Sequence, residues 1–319
     1  ILPFMEKLAE CFEVLVPEHP GYGQSGEPAW LENIHDMAYF YLDFLEQLDL
    51  RDVTLVGNSM GGWMAMEIAV RDTSRLKSVV LVSPAGISAP GVQPADIFLM
   101  PDEQLVRSLF HDPKLAEARL APPVTAESID IALINKHTTA RLAWEPRLHD
   151  PHLPKWLHRI DVPVKIVWGR EDRILPVQFL EHLSKLMPKA QTYVIEDAGH
   201  LREVPHVRLA LGVDGEAEVG AGVALDLHPA ADRQGRVVLP HVLLRGQALH
   251  RLLLQRERLG DVQQHVRLEV GLLRLVRFEE EHRRGADDLA LGGVADGLGE
   301  HAGVQGHAGG GRVVAVVGV

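Results

Sequence analysis

A single cysteine, Cys11, stands in 319 residues. That excludes a disulfide framework within the chain and a zinc site built on several thiolates. Positive charge is also short. Against 44 Asp and Glu there are 32 Lys and Arg, a formal net charge of −12, which sets aside a general nucleic-acid binder and a polybasic membrane-surface protein. No apolar run reaches about 18 residues, so no transmembrane helix is expected. The opening Ile1-Leu2-Pro3-Phe4 has neither an initiator Met nor a basic stretch, and Glu6, Glu10 and Glu13 follow. This is not a signal peptide and reads as a chain entered partway through. What is present, 46% hydrophobic and 24% charged residues, is ordinary for a globular protein. The expectation is a cytoplasmic protein with neither nucleic acid nor a membrane as partner.

A second set of absences divides the chain. Residues 207–319 contain no Lys, Ser, Thr, Asn, Ile, Met, Trp, Tyr or Cys, yet hold 19 of the 29 glycines. Lys, Ser, Thr, Asn and Ile together supply 38 of the first 206 residues. Apart from Phe278, every residue type after 206 has a codon beginning with G or C. A folded domain has no reason to obey that restriction, whereas a GC-rich stretch read in a wrong frame or on the opposite strand does. The expectation for 207–319 is a low-complexity tail of non-native translation, with a natural low-complexity tail as the alternative.

Residues 1–206 alternate short apolar runs with helical patterns, the signature of a parallel sheet covered by helices. Phe12–Val16, Val53–Val56, Val79–Val82, Val164–Trp168 and Thr192–Ile195 read as strands buried on both faces. His35–Leu48 reads as an amphipathic helix, with Met37, Phe40, Tyr41, Phe44 and Leu45 near helical spacing. From about 88 to 160 the alternation stops. Prolines at 84, 90, 94, 101, 113, 122 and 123, then 146, 151 and 154, bracket a helical stretch, read as a helical lid inserted between two strands.

The strongest local signal is Gly57-Asn58-Ser59-Met60-Gly61-Gly62, set between the run Val53–Val56 and the helix-forming Trp63–Ala69. Strand, Gly-x-Ser-x-Gly, helix is a nucleophile elbow. The turn is so sharp that the positions two before and two after the serine must lack side chains. It lifts the Ser59 hydroxyl above the sheet and aims the Met60 N–H at a developing oxyanion. A serine needs a base to take its proton. His200 follows the last strand, and Glu171, Asp172 and Asp197 are the candidate acids past strand ends, at the edge where open α/β sheets place their sites. The order Ser59, Asp172, His200 suits a triad. Other signals have plainer readings. His149-Asp150-Pro151-His152 reads as loop surface, His19 as part of a turn, and Trp144-Glu145-Pro146-Arg147 as lid packing or pocket lining. Val313-Val314-Ala315-Val316-Val317 is either a strand or a chance apolar run.

The segments His19-Pro20-Gly21-Tyr22-Gly23-Gln24-Ser25, Gly57–Gly62, Gly169-Arg170-Glu171-Asp172-Arg173 and Ala198-Gly199-His200 occur in this order. By them, residues 1–206 resemble the α/β-hydrolase superfamily, in its lid-bearing serine esterase and C–C hydrolase-like branch. The resemblance implies an α/β fold, a mostly parallel, doubly wound sheet with a helical lid. It implies Ser59 as nucleophile, His200 as general base and then acid, Asp172 as the group that orients His200, and Met60 in the oxyanion hole. It implies no cofactor and no metal. By the family pattern this chain starts after the first strands and the loop that supplies the second oxyanion N–H. A hole is then expected between the strands Phe12–Val16 and Val53–Val56, with costly unpaired backbone on both sides. The final helix after His200 is expected to dissolve into the anomalous tail, and the chain to fold poorly and be at most weakly active. Residues Val313–Val317, if a strand, are a candidate to fill the hole.

The leading expectation is cleavage of a small or medium carboxylic ester through an acyl-enzyme. Alternatives on the same triad are hydrolysis of a carbon–carbon bond in a vinylogous diketone and a cofactor-free perhydrolase. Leu201 after His200, where the C–C hydrolases usually carry Trp, speaks against the first. An inactive fragment lacking the oxyanion loop is the alternative of another class.

Overall fold

The computed structural model describes residues 12–201, together with 275–276 and 312–317. The reading of 207–319 as a separate tail therefore lies, but for these two short segments, outside the described residues.

Among the described residues, seven strands form one sheet in the order β5-β4-β3-β2-β7-β1-β6. They are β1 (Glu13–Pro17), β2 (Val53–Asn58), β3 (Leu76–Val82), β4 (Val164–Gly169), β5 (Gln191–Ile195), β6 (Leu275–Val276) and β7 (Arg312–Val317). Every pairing is parallel except β1 with β6. The five strands read from sequence all form, each with its ends within three residues of the expected ones. Their side chains alternate between two cores. Leu55, Val79, Leu81, Ile166 and Trp168 enter the larger core, while Val56, Val80, Val82 and Val167 enter the smaller one with Val14 and Val313. Burial on both faces is why β2, β4 and the second half of β3 are continuous apolar runs rather than alternating ones. β5, at the edge of the sheet, departs from the expected burial and exposes Gln191 and Thr192.

Helices carry the chain between strands. α1 (Ile34–Gln47) starts at a capping box, in which Asn33 accepts from the N–H groups of His35 and Asp36 and the Asp36 carboxylate accepts from Asn33 N–H. Such a box satisfies donors that a helix start leaves open. Its apolar stripe, Met37, Tyr41, Phe44 and Leu45, enters the larger core. α2 (Met60–Arg71) is buried along its whole length from Met60 to Val70, as a helix held between a sheet and another helix must be. Between β3 and β4 come α3 (Asp102–Leu109), α4 (Pro113–Leu120) and α5 (Ala126–Ala143), the helical insertion that the proline-bracketed stretch led us to expect. α6 (Gln178–Leu186) joins β4 to β5. No helix among the described residues is long and apolar enough to cross a membrane.

One expectation is corrected here. No hole separates β1 from β2, because β7 lies between them. It pairs with β1 from Glu13↔Arg312 to Leu15↔Val314 and with β2 from Val53↔Arg312 to Asn58↔Val317. The backbone groups on the facing edges of β1 and β2 thus gain a ladder, and the Val313 side chain is fully buried. The run Val313–Val317 is a strand in the vacant place. An aspartate at 313 would bury an unpaired charge in the second core, at a cost of several kcal/mol. Val313→Asp is expected to lower unfolding stability by more than about 3 kcal/mol, read as a fall in the urea midpoint. An unchanged midpoint would exclude β7 from the sheet.

Candidate active site

The C-terminal ends of β2, β4 and β5 meet at one edge of the sheet, and each is followed by a residue of the expected trio. Ser59 joins β2 to α2 with φ 53° and ψ −120°, a conformation that side-chain-bearing residues rarely adopt and that costs about 1–3 kcal/mol. Neighbouring contacts hold it there. Ser59 N–H donates to Val82 O at 3.0 Å, and its carbonyl accepts from Gly62 and Ala85 N–H, both at 2.9 Å. The approach of β2 to α2 leaves no room for side chains at the crossing. A Cβ on Gly57 would lie 2.4 Å from Gly61 O and 2.7 Å from Gly62 Cα. Met60 is the first residue of α2, so its N–H is among the donors that no turn of the helix can satisfy, at the positive end of the helix dipole.

The histidine arrives on the loop after β5. That loop is pressed against the end of β4, where a Cβ on Gly169 would lie 2.3 Å from Gly199 O. Arg170 N–H donates to Ile195 O and Glu171 N–H to Ala198 O. The Arg170 guanidinium grips the Glu196 carboxylate through Nε and Nη2, and this hydrogen bonding holds the Glu196 carboxyl below the usual carboxylate range. On its other side the loop meets the end of α3, where Leu201 N–H donates to Leu109 O at 2.8 Å. His200 is thereby clamped between two backbones.

The three groups form one hydrogen-bonded line. His200 Nε2 lies 2.8 Å from Ser59 Oγ and His200 Nδ1 lies 2.8 Å from Asp172 Oδ2. The second oxygen, Oδ1, accepts from the N–H groups of Ile174 and Leu175 at 2.9 and 2.8 Å. An ionised carboxylate only accepts, so the proton of the imidazole sits on Nδ1 and the Nε2 lone pair faces the serine hydroxyl. All three residues are buried, which strengthens their mutual electrostatics relative to water. Of the other acids, Glu171 instead accepts from Ala198 N–H, and the Asp197 side chain is 91% exposed.

His19 is buried, with Nδ1 2.5 Å from Tyr41 Oη, so it joins the turn after β1 to α1. The Trp144 ring lies under Arg147 and packs edge-on against Phe98. The reading of 149–152 as loop surface is corrected at Asp150. That residue is buried and faces His35 Nε2 at 3.6 Å. Among the described residues, His35, Glu67 and Asp150 bring three potential metal-ligand atoms within 4.8 Å of one another. The Arg71 guanidinium already supplies a cation there, at 2.5 Å from Glu67 Oε2 and 2.7 Å from His35 Nδ1. The cluster is an ion-pair network that ties α1 and α2 to the chain returning from the insertion. Tyr22, whose phenol reaches both Met60 and Thr139, was not foreseen either. Its only mark in the sequence is an aromatic residue between two glycines of a turn.

Residues 2–210 match the model of the alpha/beta hydrolase family. The chain belongs to that family. Among its curated relatives, 2-hydroxymuconate semialdehyde hydrolase of Pseudomonas sp. strain CF600 is 27% identical over 220 residues, covering 63% of this chain and 75% of the relative. Poly(3-hydroxyalkanoate) depolymerase of Ectopseudomonas oleovorans is 27% identical over 220 residues, covering 63% and 73%. A protein of Mycobacterium tuberculosis is 26% identical, and the chain spans 64% of its length. A crystal structure of a variant of the meta-cleavage product hydrolase CumD superposes with a TM-score of 0.50 at 20% identity, covering 61% of this chain and 76% of that one. This likeness supports the α/β hydrolase fold.

The crossing of β2 and α2 is open to a direct test. Gly57→Ala places a methyl group against backbone that cannot move aside without shifting Ser59. A loss of about 2–3 kcal/mol in unfolding stability is expected, measured by chemical denaturation. An alanine tolerated without cost would show that the crossing is looser than described.

Proposed function

We propose that this alpha/beta hydrolase is a serine hydrolase that cleaves a small or medium carboxylic ester through an acyl-enzyme. The observation that carries the reading is the continuous line from Asp172 Oδ2 through His200 to Ser59 Oγ, with 2.8 Å at each step. Ser59 Oγ attacks the ester carbonyl while His200 Nε2 takes its proton. Asp172 holds the imidazole in the required tautomer and stabilises the imidazolium that forms. The Met60 N–H, at the start of α2, holds the oxyanion. His200 then gives its proton to the departing alkoxide, and in the second half-reaction it activates a water that releases the acid. Every bond change takes place between the substrate, water and these side chains.

A second reading keeps the same three residues and changes the bond cleaved. The names of two relatives, 2-hydroxymuconate semialdehyde hydrolase and the meta-cleavage product hydrolase CumD, favour a carbon–carbon bond in a vinylogous diketone as the alternative target. The helices between β3 and β4 would act as the lid that sets substrate preference in either case.

A fluorophosphonate probe tests the reading without a chosen substrate. The wild-type chain is expected to label at Ser59, and Ser59→Ala to remain unlabelled. His200→Ala and Asp172→Asn are expected to slow labelling by about 10³–10⁴-fold. Labelling of Ser59→Ala at the wild-type rate, or none of the wild-type chain, would refute the serine hydrolase. Parallel assays on a p-nitrophenyl butyrate ester and a dienoate diketone then decide which bond is cleaved.

A further inference from the structure

The turn after β1 is a junction between the helical insertion and the nucleophile elbow. Three residues on one face of α5, at the i, i+3, i+4 spacing that makes helical neighbours, each bond a different residue of the turn. Asn135 Oδ1 accepts from Gly23 N–H at 2.8 Å. Thr138 Oγ1 donates to Gly21 O at 2.5 Å. Thr139 Oγ1 lies 3.1 Å from Tyr22 Oη. The same phenol reaches on to Met60 Sδ at 3.9 Å. Thr138 and Thr139 are buried, whereas Ile129, Leu133 and Ile134 in the first half of α5 are exposed. The buried seat of α5 is thus its second half, and Tyr22 is where that seat touches the residue after the nucleophile.

The chemistry of the three atoms sets a direction. A thioether only accepts and a phenol has one proton, so both contacts of Tyr22 are hydrogen bonds only when Thr139 donates to Tyr22 and Tyr22 donates to Met60. Burial pushes the Tyr22 phenol far above its ordinary range, so that proton stays in place across the working pH. A one-way chain therefore runs from α5 to Met60.

We propose that Tyr22 is a positioning residue for hydrolysis, which links the seating of α5 through Thr139 to the orientation of Met60 and its oxyanion-binding N–H. The inference rests on the serine hydrolase reading. Anchoring the Met60 side chain limits rocking of the first turn of α2, and the N–H keeps its aim as charge develops on the substrate oxygen. The interaction serves the transition state more than the bound ester, so its loss lowers kcat rather than raising KM.

The test uses the full chain, with steady-state turnover of p-nitrophenyl butyrate and inhibition by an alkyl boronic acid, which forms a tetrahedral anion on the serine. Tyr22→Phe is expected to lower kcat about 5–10-fold, the usual size for loss of one hydrogen bond, with KM within twofold and boronate affinity weakened in proportion to kcat. Thr139→Val should give the same pattern, the double variant little more than either single one, and Thr139→Ser near-wild-type values. Unchanged kcat in Tyr22→Phe, effects that multiply in the double variant, or a change confined to KM would each overturn the proposal. If Tyr22→Phe does not fold, the Thr139 pair decides the matter alone. A wild-type chain whose Ser59 takes no fluorophosphonate overturns the hydrolase reading and this inference with it, whereas a labelled wild type with silent variants overturns only the inference.

Discussion

Where β2 gives way to α2, two backbones run closer than any side chain permits, and Gly57 lies so near Gly61 that a methyl group would overlap its carbonyl. The energetic cost gathers on Ser59, held at a positive φ by hydrogen bonds from the β3 end and from its own helix. That arrangement is stable only because α2 is buried along its length against the sheet and α1. The same device recurs at β4, where Gly169 admits the Ala198–Gly199 backbone and so brings His200 within reach of both Ser59 and Asp172. Close backbone approach at two strand ends positions the three polar side chains, and the apolar packing below resists the strain.

The sheet could be read from sequence to the extent that burial on both faces leaves unbroken runs of Val, Ile and Leu. Val53–Val56 and Val164–Trp168 announce themselves in this way, and their observed ends differ only by a residue or two. Helix α1 was equally legible, since its apolar stripe is a local pattern. The place of β7 was not. Val313–Val317 is apolar enough for a strand, but a run of valines carries no information about which neighbours it pairs with. Its position between β1 and β2 depends on two edges that need hydrogen bonds and lie about 260 and 300 residues away along the chain.

The candidate site divides along the same line. Gly-x-Ser-x-Gly between a strand and a helix is a local constraint, so Ser59 and Met60 were legible. His200 followed from its place after a strand. Glu171, Asp172 and Asp197 all lie near strand ends in sequence; the family resemblance points to Asp172, and the fold gives the three acids different partners. Asp172 has one oxygen held by two backbone N–H groups and the other turned to the imidazole. Glu171 instead serves the backbone of the histidine loop.

By itself, the sequence determined the fold class, the Gly-x-Ser-x-Gly turn between strand and helix, and the order of the chemical groups along the chain. Each of these rests on neighbours within a few residues, on periodicity or on a steric rule. Tertiary structure alone decided which strand closes the sheet, that Asp150 faces His35 beside the Glu67–Arg71 pair, and that Tyr22 joins α5 to Met60. Those contacts join residues brought together by packing, and nothing in the spacing of the chain specifies a distance across the core.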